Sequence, residues 1–174
     1  MANTRTSNCS SGVEVDLYWR QCNAPELESH IDRIVDEVFE TLKKPGRAWN
    51  PWKEEVIKGS IESLISRAAS GNLEPVDHVK SLRNGIGDLF EIRFSNLHVT
   101  EIRNKIAVDV KTHARLIHVE PIKISVGAIG LLAFEKPDGI DFKTEQDDFI
   151  DEAERLEASI RSRNWGVQLR NHRK

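Results

Sequence analysis

The sequence predicts an α+β fold, with an N-terminal strand and a helical hairpin packed on a mainly antiparallel sheet and a closing C-terminal helix. Three observations predict it. Two stripes of apolar residues with helical spacing lie between residues 25 and 70, alternating apolar and polar runs occupy residues 89 to 134, and a third helical stripe runs from 145 to 160. At 174 residues the chain is long enough for one domain that buries its own core. The expected division is a disordered polar leader at 1–12, a domain at 13–160 and a basic tail at 161–174.

Taken in order, Val13, Val15, Leu17 and Trp19 alternate with Glu14, Asp16 and Tyr18, which predicts a half-buried strand. Asn23 is then placed to cap a helix, with Pro25 in its first turn and Glu26 at capping-box spacing. Leu27, Ile31, Ile34, Val35, Val38, Phe39 and Leu42 form its stripe, and Pro45-Gly46 ends it after Lys43 and Lys44. Asn50-Pro51 restarts a second helix carrying Trp52, Val56, Ile57, Ile61, Leu64, Ile65 and Ala68, which Gly71 stops. The hairpin is therefore expected at Pro25–Lys44 and Pro51–Ser70.

Strands are expected at Leu89 to Phe94, at Ile106 to Thr112 and at Arg115 to Val119. The nearly all-apolar run Val126 to Phe134 reads as a central strand buried on both faces. Thr144 is placed to cap the last helix, whose stripe is Phe149, Ile150, Ala153, Leu156 and Ile160.

Composition narrows the function classes. The net charge is −3, which does not favour general nucleic-acid coating, but the charge is uneven. Ten acids lie between Glu135 and Glu157, and five bases without an acid follow from Arg161 to Lys174. Cys9 and Cys22 have no spacing of a disulfide framework or a metal site, so no metal and no cofactor are expected. The first twelve residues lack an apolar core of the secretory kind and no run is long enough for a membrane span, which predicts a cytoplasmic protein with no membrane partner.

The segment Lys80-Ser81-Leu82, Gly85, Gly87-Asp88-Leu89-Phe90-Glu91-Ile92-Arg93 resembles a stretch of the RelE/ParE-like toxin superfamily, most closely its HigB-like and phage Gp49-like branch. Arg115-Leu116-Ile117-His118-Val119 is similar to the family's next strand, and Ile129 to Lys136 is similar to its last. The resemblance implies a toxin of a toxin–antitoxin system that cuts mRNA on the ribosome without metal, held in check by a cognate antitoxin. It implies catalytic roles for Arg93, Arg115, His118 and Lys136, with Glu91 orienting Arg93, while Lys80 and Arg83 beside that stretch and Arg161 and Arg163 in the basic tail are the candidate RNA contacts. Phosphate transfer from a 2′-hydroxyl needs a guanidinium clamp, a base and an acid, and His118 stands where the family has a tyrosine.

In this chain the stretch Ser95 to Ala114 is longer than the family's turn, which predicts an extra strand, and the single tyrosine, Tyr18, lies in the first strand. Two further readings stay open. One is a non-enzymatic toxin or inactive member of the fold that acts through a protein partner. The other is a metal-dependent nuclease built on Asp109-Val110-Lys111 with Asp88 or Glu91 upstream. Trp165 among Arg161, Arg163 and Arg170 offers a base-stacking group.

Overall fold

The computed structural model describes residues 5–22, 24–82, 88–122, 127–136 and 142–169. Among them lie six strands and three helices: β1 (Asp16–Trp19), α1 (Leu27–Glu40), β2 (Arg47–Ala48), α2 (Pro51–Ala69), β3 (Val79–Ser81), β4 (Leu89–Arg103), β5 (Ile106–Val119), β6 (Gly127–Glu135) and α3 (Phe142–Ile160). The order along the sheet is β1-β6-β5-β4-β2, with β3 also paired to β4. Only β1 runs parallel to its neighbour β6; the other pairings are antiparallel. The class is α+β with a mixed, mainly antiparallel sheet.

Each face of the sheet carries its own core. On one side α1 and α2 cover Leu17, Trp19, Phe90, Ile92, Phe94, Leu116 and Ala128 with Ile34, Val38, Phe39, Ile61 and Ile65. On the other side α3 brings Ile150, Ala153 and Ile160 onto Tyr18, Ile117, Ile129, Leu131 and Phe134. Helices on both faces explain why β1 is buried on both sides, with Tyr18 at 2 % exposure, and not half-buried as its alternation suggested. They also account for β6, whose apolar run is central and covered on both sides as expected.

The hairpin forms close to its expected limits. The Asn50 side chain accepts from the Lys53 N–H and caps α2, with Pro51 in the first turn. Gly71 follows α2 at φ +69, and a Cβ there would stand 2.2 Å from the Val13 carbonyl oxygen, so only glycine fits. The first helix starts at Leu27 after an extended Glu26 with no side-chain cap, later than Pro25, and ends at Glu40 before Lys43 and Lys44. Asn23 lies outside the described residues. The last helix begins at Phe142, so Thr144 lies inside it and is no cap.

Three expectations are corrected by packing. Residues 5–12 of the leader are packed: Ser7 and Cys9 are buried, Asn8–Ser10 form a 3-10 turn, and hydrogen bonds from Leu73 N to Cys9 O (2.8 Å) and from Gly12 N to Gly71 O (2.9 Å) pin the segment to the end of α2. The stretch Ser95 to Ala114 makes no extra strand but lengthens β4 and β5 into one hairpin, turned by Asn104 and Lys105 at φ 51 and 66. Trp165 does not stand open to stack on bases. Trp165 and Val167 are buried against α3, because the indole N–H has a partner in Glu157 (3.3 Å).

Two bulges set which side chains face which core. The pairing of β4 with β5 shifts between Phe94 and Leu97, which keeps Leu97 and Val99 on the hairpin side with Phe94. The pairing of β5 with β6 shifts between Ile117 and His118, with the extra residue in β6. No helix among the described residues is long and apolar enough to cross a membrane.

Candidate functional site

The sheet face under α3 gathers most of the cations that the family resemblance singles out. Arg93 stands directly across from Arg115 in the β4–β5 ladder, and Lys80 stands across from Glu91 in β3–β4. Cross-strand partners share a face, so Lys80, Glu91, Arg93 and Arg115 lie on one side. Alternation from Phe134, which pairs with Arg115, carries the half-buried Lys136 to that side as well.

Glu91 is the centre of this group. Its carboxylate is 1 % exposed and accepts from Arg93 Nε at 2.7 Å and from Gln146 Nε2 of α3 at 3.2 Å. Arg115 Nε lies 4.0 Å from its other side. The remaining donors of Arg93 reach the Val76 carbonyl (2.8 Å), and Arg115 donates to the Ala114 carbonyl (2.9 Å). Burial lowers the Arg115 guanidinium from its ordinary value; Glu91 opposes this and Arg93 adds to it. The carboxylate thus fills the position between the two guanidiniums that a phosphate would need.

The other expected site residues lie elsewhere. His118 points to the opposite face, stacked on Phe90 with ring centroids 5.7 Å apart, because it is three residues from Arg115 in β5 and the extra residue of the β5–β6 bulge lies in β6. Arg161 is held by both oxygens of Glu157 at 2.7 and 2.8 Å, and Arg163 is exposed beyond α3. Arg83 lies outside the described residues, as does Arg170. A cleft of about 440 Å³ opens beside Trp165, but its lining of Asp88, Glu157 and Arg161 is not a cationic channel.

The outline of a metal-dependent nuclease does not assemble. Asp109 is exposed and bound by His98 (2.6 Å) and Lys53 (3.1 Å), and these hydrogen bonds lower its carboxyl from the usual value. Glu91 pairs with Ile117, so it stands eight residues along β5 from Asp109, roughly 26 Å at ~3.3 Å per residue. Asp88 lies at that far end too, in an ion pair with Arg5.

A second polar cluster lies on the hairpin side of the sheet, where the N-terminal segment covers β5. Cys9, His118 and Glu120 are 0 %, 2 % and 0 % exposed, and their ligand atoms all lie within 4.8 Å of one another. His118 Nε2 is 3.0 Å from Glu120 Oε1 and 3.9 Å from Cys9 Sγ. Ser7 Oγ donates to Glu120 Oε1 at 2.5 Å and the Asn8 N–H donates to Oε2 at 2.8 Å. Burial raises the Glu120 carboxyl, but the His118, Ser7 and Asn8 hydrogen bonds outweigh it and the net direction is down. Burial and then the Glu120 charge push the Cys9 thiol up, so it stays protonated when nothing else is bound.

Sequence reasoning placed His118 in the wrong partnership and missed Cys9 and Glu120. Nothing local links Cys9 to His118, 109 residues away, and the polar Ser7-Asn8-Cys9-Ser10 run carries no apolar period that would mark it as buried. Compared with protein-family models, with curated proteins and with solved structures, the chain matches none.

Proposed function

We propose that this chain is a RelE/ParE-like toxin-type protein that acts by binding a protein partner and does not cut RNA. The ionic arrangement around Glu91 carries this reading. A guanidinium stabilises a transferring phosphate only if its donors can turn toward it in a fixed geometry. Arg93 is committed to Glu91 and Val76, and Arg115 is buried beside Glu91. The histidine that would move a proton faces the other core.

A partner of the antitoxin class needs an apolar anchor on the surface. Trp52 and Val56, one turn apart on α2, are 70 % and 47 % exposed and supply one. The RNA-cleaving reading is favoured by one observation, the shared face of Lys80, Arg93, Arg115 and Lys136.

Expression of the wild type, Arg93→Ala and Trp52→Asp in a bacterial host separates the two. The expected result is slowed growth that persists in Arg93→Ala, is relieved in Trp52→Asp, and leaves no new mRNA 5′ ends. New 5′ ends in translated mRNA that vanish with Arg93→Ala would overturn the binding reading in favour of the nuclease. No growth effect from folded wild-type protein would overturn the toxin reading altogether.

A further inference from the structure

We propose that Cys9, His118 and Glu120 form a buried site for one divalent zinc-class cation, which clips the N-terminal segment to β5. The proposal stands apart from the function argued above and uses none of the residues of the α3 face.

The three side chains offer the donor types that suit such an ion: a sulfur, an imidazole nitrogen and a carboxylate oxygen. They come from two separate parts of the chain, so only the fold brings them together. Ligands at ~2.0–2.3 Å from a tetrahedral zinc stand roughly 3.3–3.6 Å from one another. The separations of 3.0 Å for His118 Nε2 to Glu120 Oε1 and 3.9 Å for His118 Nε2 to Cys9 Sγ bracket that range. Small side-chain adjustments convert one arrangement into the other.

The point of convergence also argues against a nucleophile relay. A Cys–His–acid relay uses opposite nitrogens of the ring, one toward the thiol and one toward the carboxylate. Here Cys9 and Glu120 both approach Nε2, while buried Nδ1 has no hydrogen-bond partner among the described residues. A single nitrogen donates only one proton and cannot serve both groups as a relay. It can share one metal ion with them.

Charge and surroundings fit as well. With the Cys9 proton released to solvent, thiolate, carboxylate, neutral imidazole and a divalent cation sum to zero, which a buried site tolerates far better than a net charge. Ser7 Oγ and the Asn8 N–H already orient the Glu120 carboxylate, the role that outer-sphere groups play in metal sites. Burial of all three ligands makes the site structural: it adds to the Arg5, Ser7 and Asn8 contacts and the backbone hydrogen bonds that tie residues 5–12 to the rest of the fold.

The test uses the full chain, stripped with a chelator, dialysed and titrated with Co²⁺ and then Zn²⁺. One Co²⁺ per chain is expected, with the thiolate-to-cobalt charge-transfer band and the visible bands of a tetrahedral site, displaced by Zn²⁺. Cys9→Ser should abolish the charge-transfer band and Cys22→Ser should keep it. Glu120→Gln should keep the band but weaken binding by more than the roughly 10–100-fold of an outer-sphere change. It covers the case in which Cys9→Ser does not fold, as read by circular dichroism. A folded wild type that binds neither ion at micromolar concentration overturns the proposal. So does a charge-transfer band that follows Cys22, or affinity unchanged in Glu120→Gln.

Discussion

The two faces of the sheet handle buried polar groups in opposite ways. Under α3, one carboxylate, Glu91, is shared by two guanidiniums and capped by Gln146. On the hairpin side, Glu120 gathers neutral donors, the Ser7 hydroxyl and the Asn8 N–H, beside a histidine and a protonated thiol. The first arrangement is saturated with positive charge and needs nothing more. The second brings together a sulfur, an imidazole nitrogen and a carboxylate oxygen, donor types that suit a metal ion. A buried carboxylate is therefore not a functional signal by itself; the chemistry of the groups around it decides what it can do.

The largest expected effect tests the saturated face. Glu91→Ala leaves Arg115 buried without its counter-charge and should cost ~3–5 kcal/mol in urea unfolding. A loss below ~1 kcal/mol would mean that Arg115 turns out to solvent, which would reopen this face to phosphate.

A smaller loss is expected at the far end of the hairpin face, where Glu135 binds Arg47 (2.7 Å), Lys44 (2.7 Å) and Thr112. Burial raises its carboxyl, but the Arg47, Lys44 and Thr112 hydrogen bonds outweigh it and the net direction is down. Its folded value thus lies below the unfolded ~4.3. The stability it adds is fully present above that unfolded value and is lost as pH falls through the lowered folded value. Urea midpoints measured between pH 6 and pH 2 should fall in wild type, and the fall should be smaller in Glu135→Gln. Equal slopes would assign acid sensitivity to other carboxylates. At neutral pH the substitution should cost about 1.5–3 kcal/mol, the range for a hydrogen bond to a charged group.

Gly130 sharpens the contrast in packing. A Cβ there would lie 2.7 Å from Trp19 Cε3 on the hairpin side, so Gly130→Ala should cost ~1–3 kcal/mol in the same assay. The smallest effect is expected outside both cores. Trp52→Asp should change stability by no more than ~0.5 kcal/mol while weakening capture of a partner, because its ring is 70 % exposed. A loss comparable to Gly130→Ala would show that Trp52 serves the fold and not a partner.

Local pattern was enough for the helical hairpin, the Asn50 cap, the Gly71 stop and the covered central strand, since each depends on neighbours within a turn or on period-two alternation. The same alternation accounts for Arg115 and His118, three residues apart in β5, facing opposite cores. What it could not supply was phase. The bulge at Ser95–Asn96 shifts the alternation of β4, and the run from 95 to 114 became two lengthened strands instead of an added one. Nor could it supply partners across the chain. By itself the sequence determined the helices, the mainly antiparallel sheet and the side each strand residue takes between bulges. Only the tertiary structure decided that Ser7 and Cys9 of the polar leader are buried, that Glu91 stands between both arginines, and that Cys9 meets His118 and Glu120. The physical reason is range: periodicity and capping act over a few residues, whereas a contact between positions 109 apart exists only after strand register and packing have fixed both ends in space.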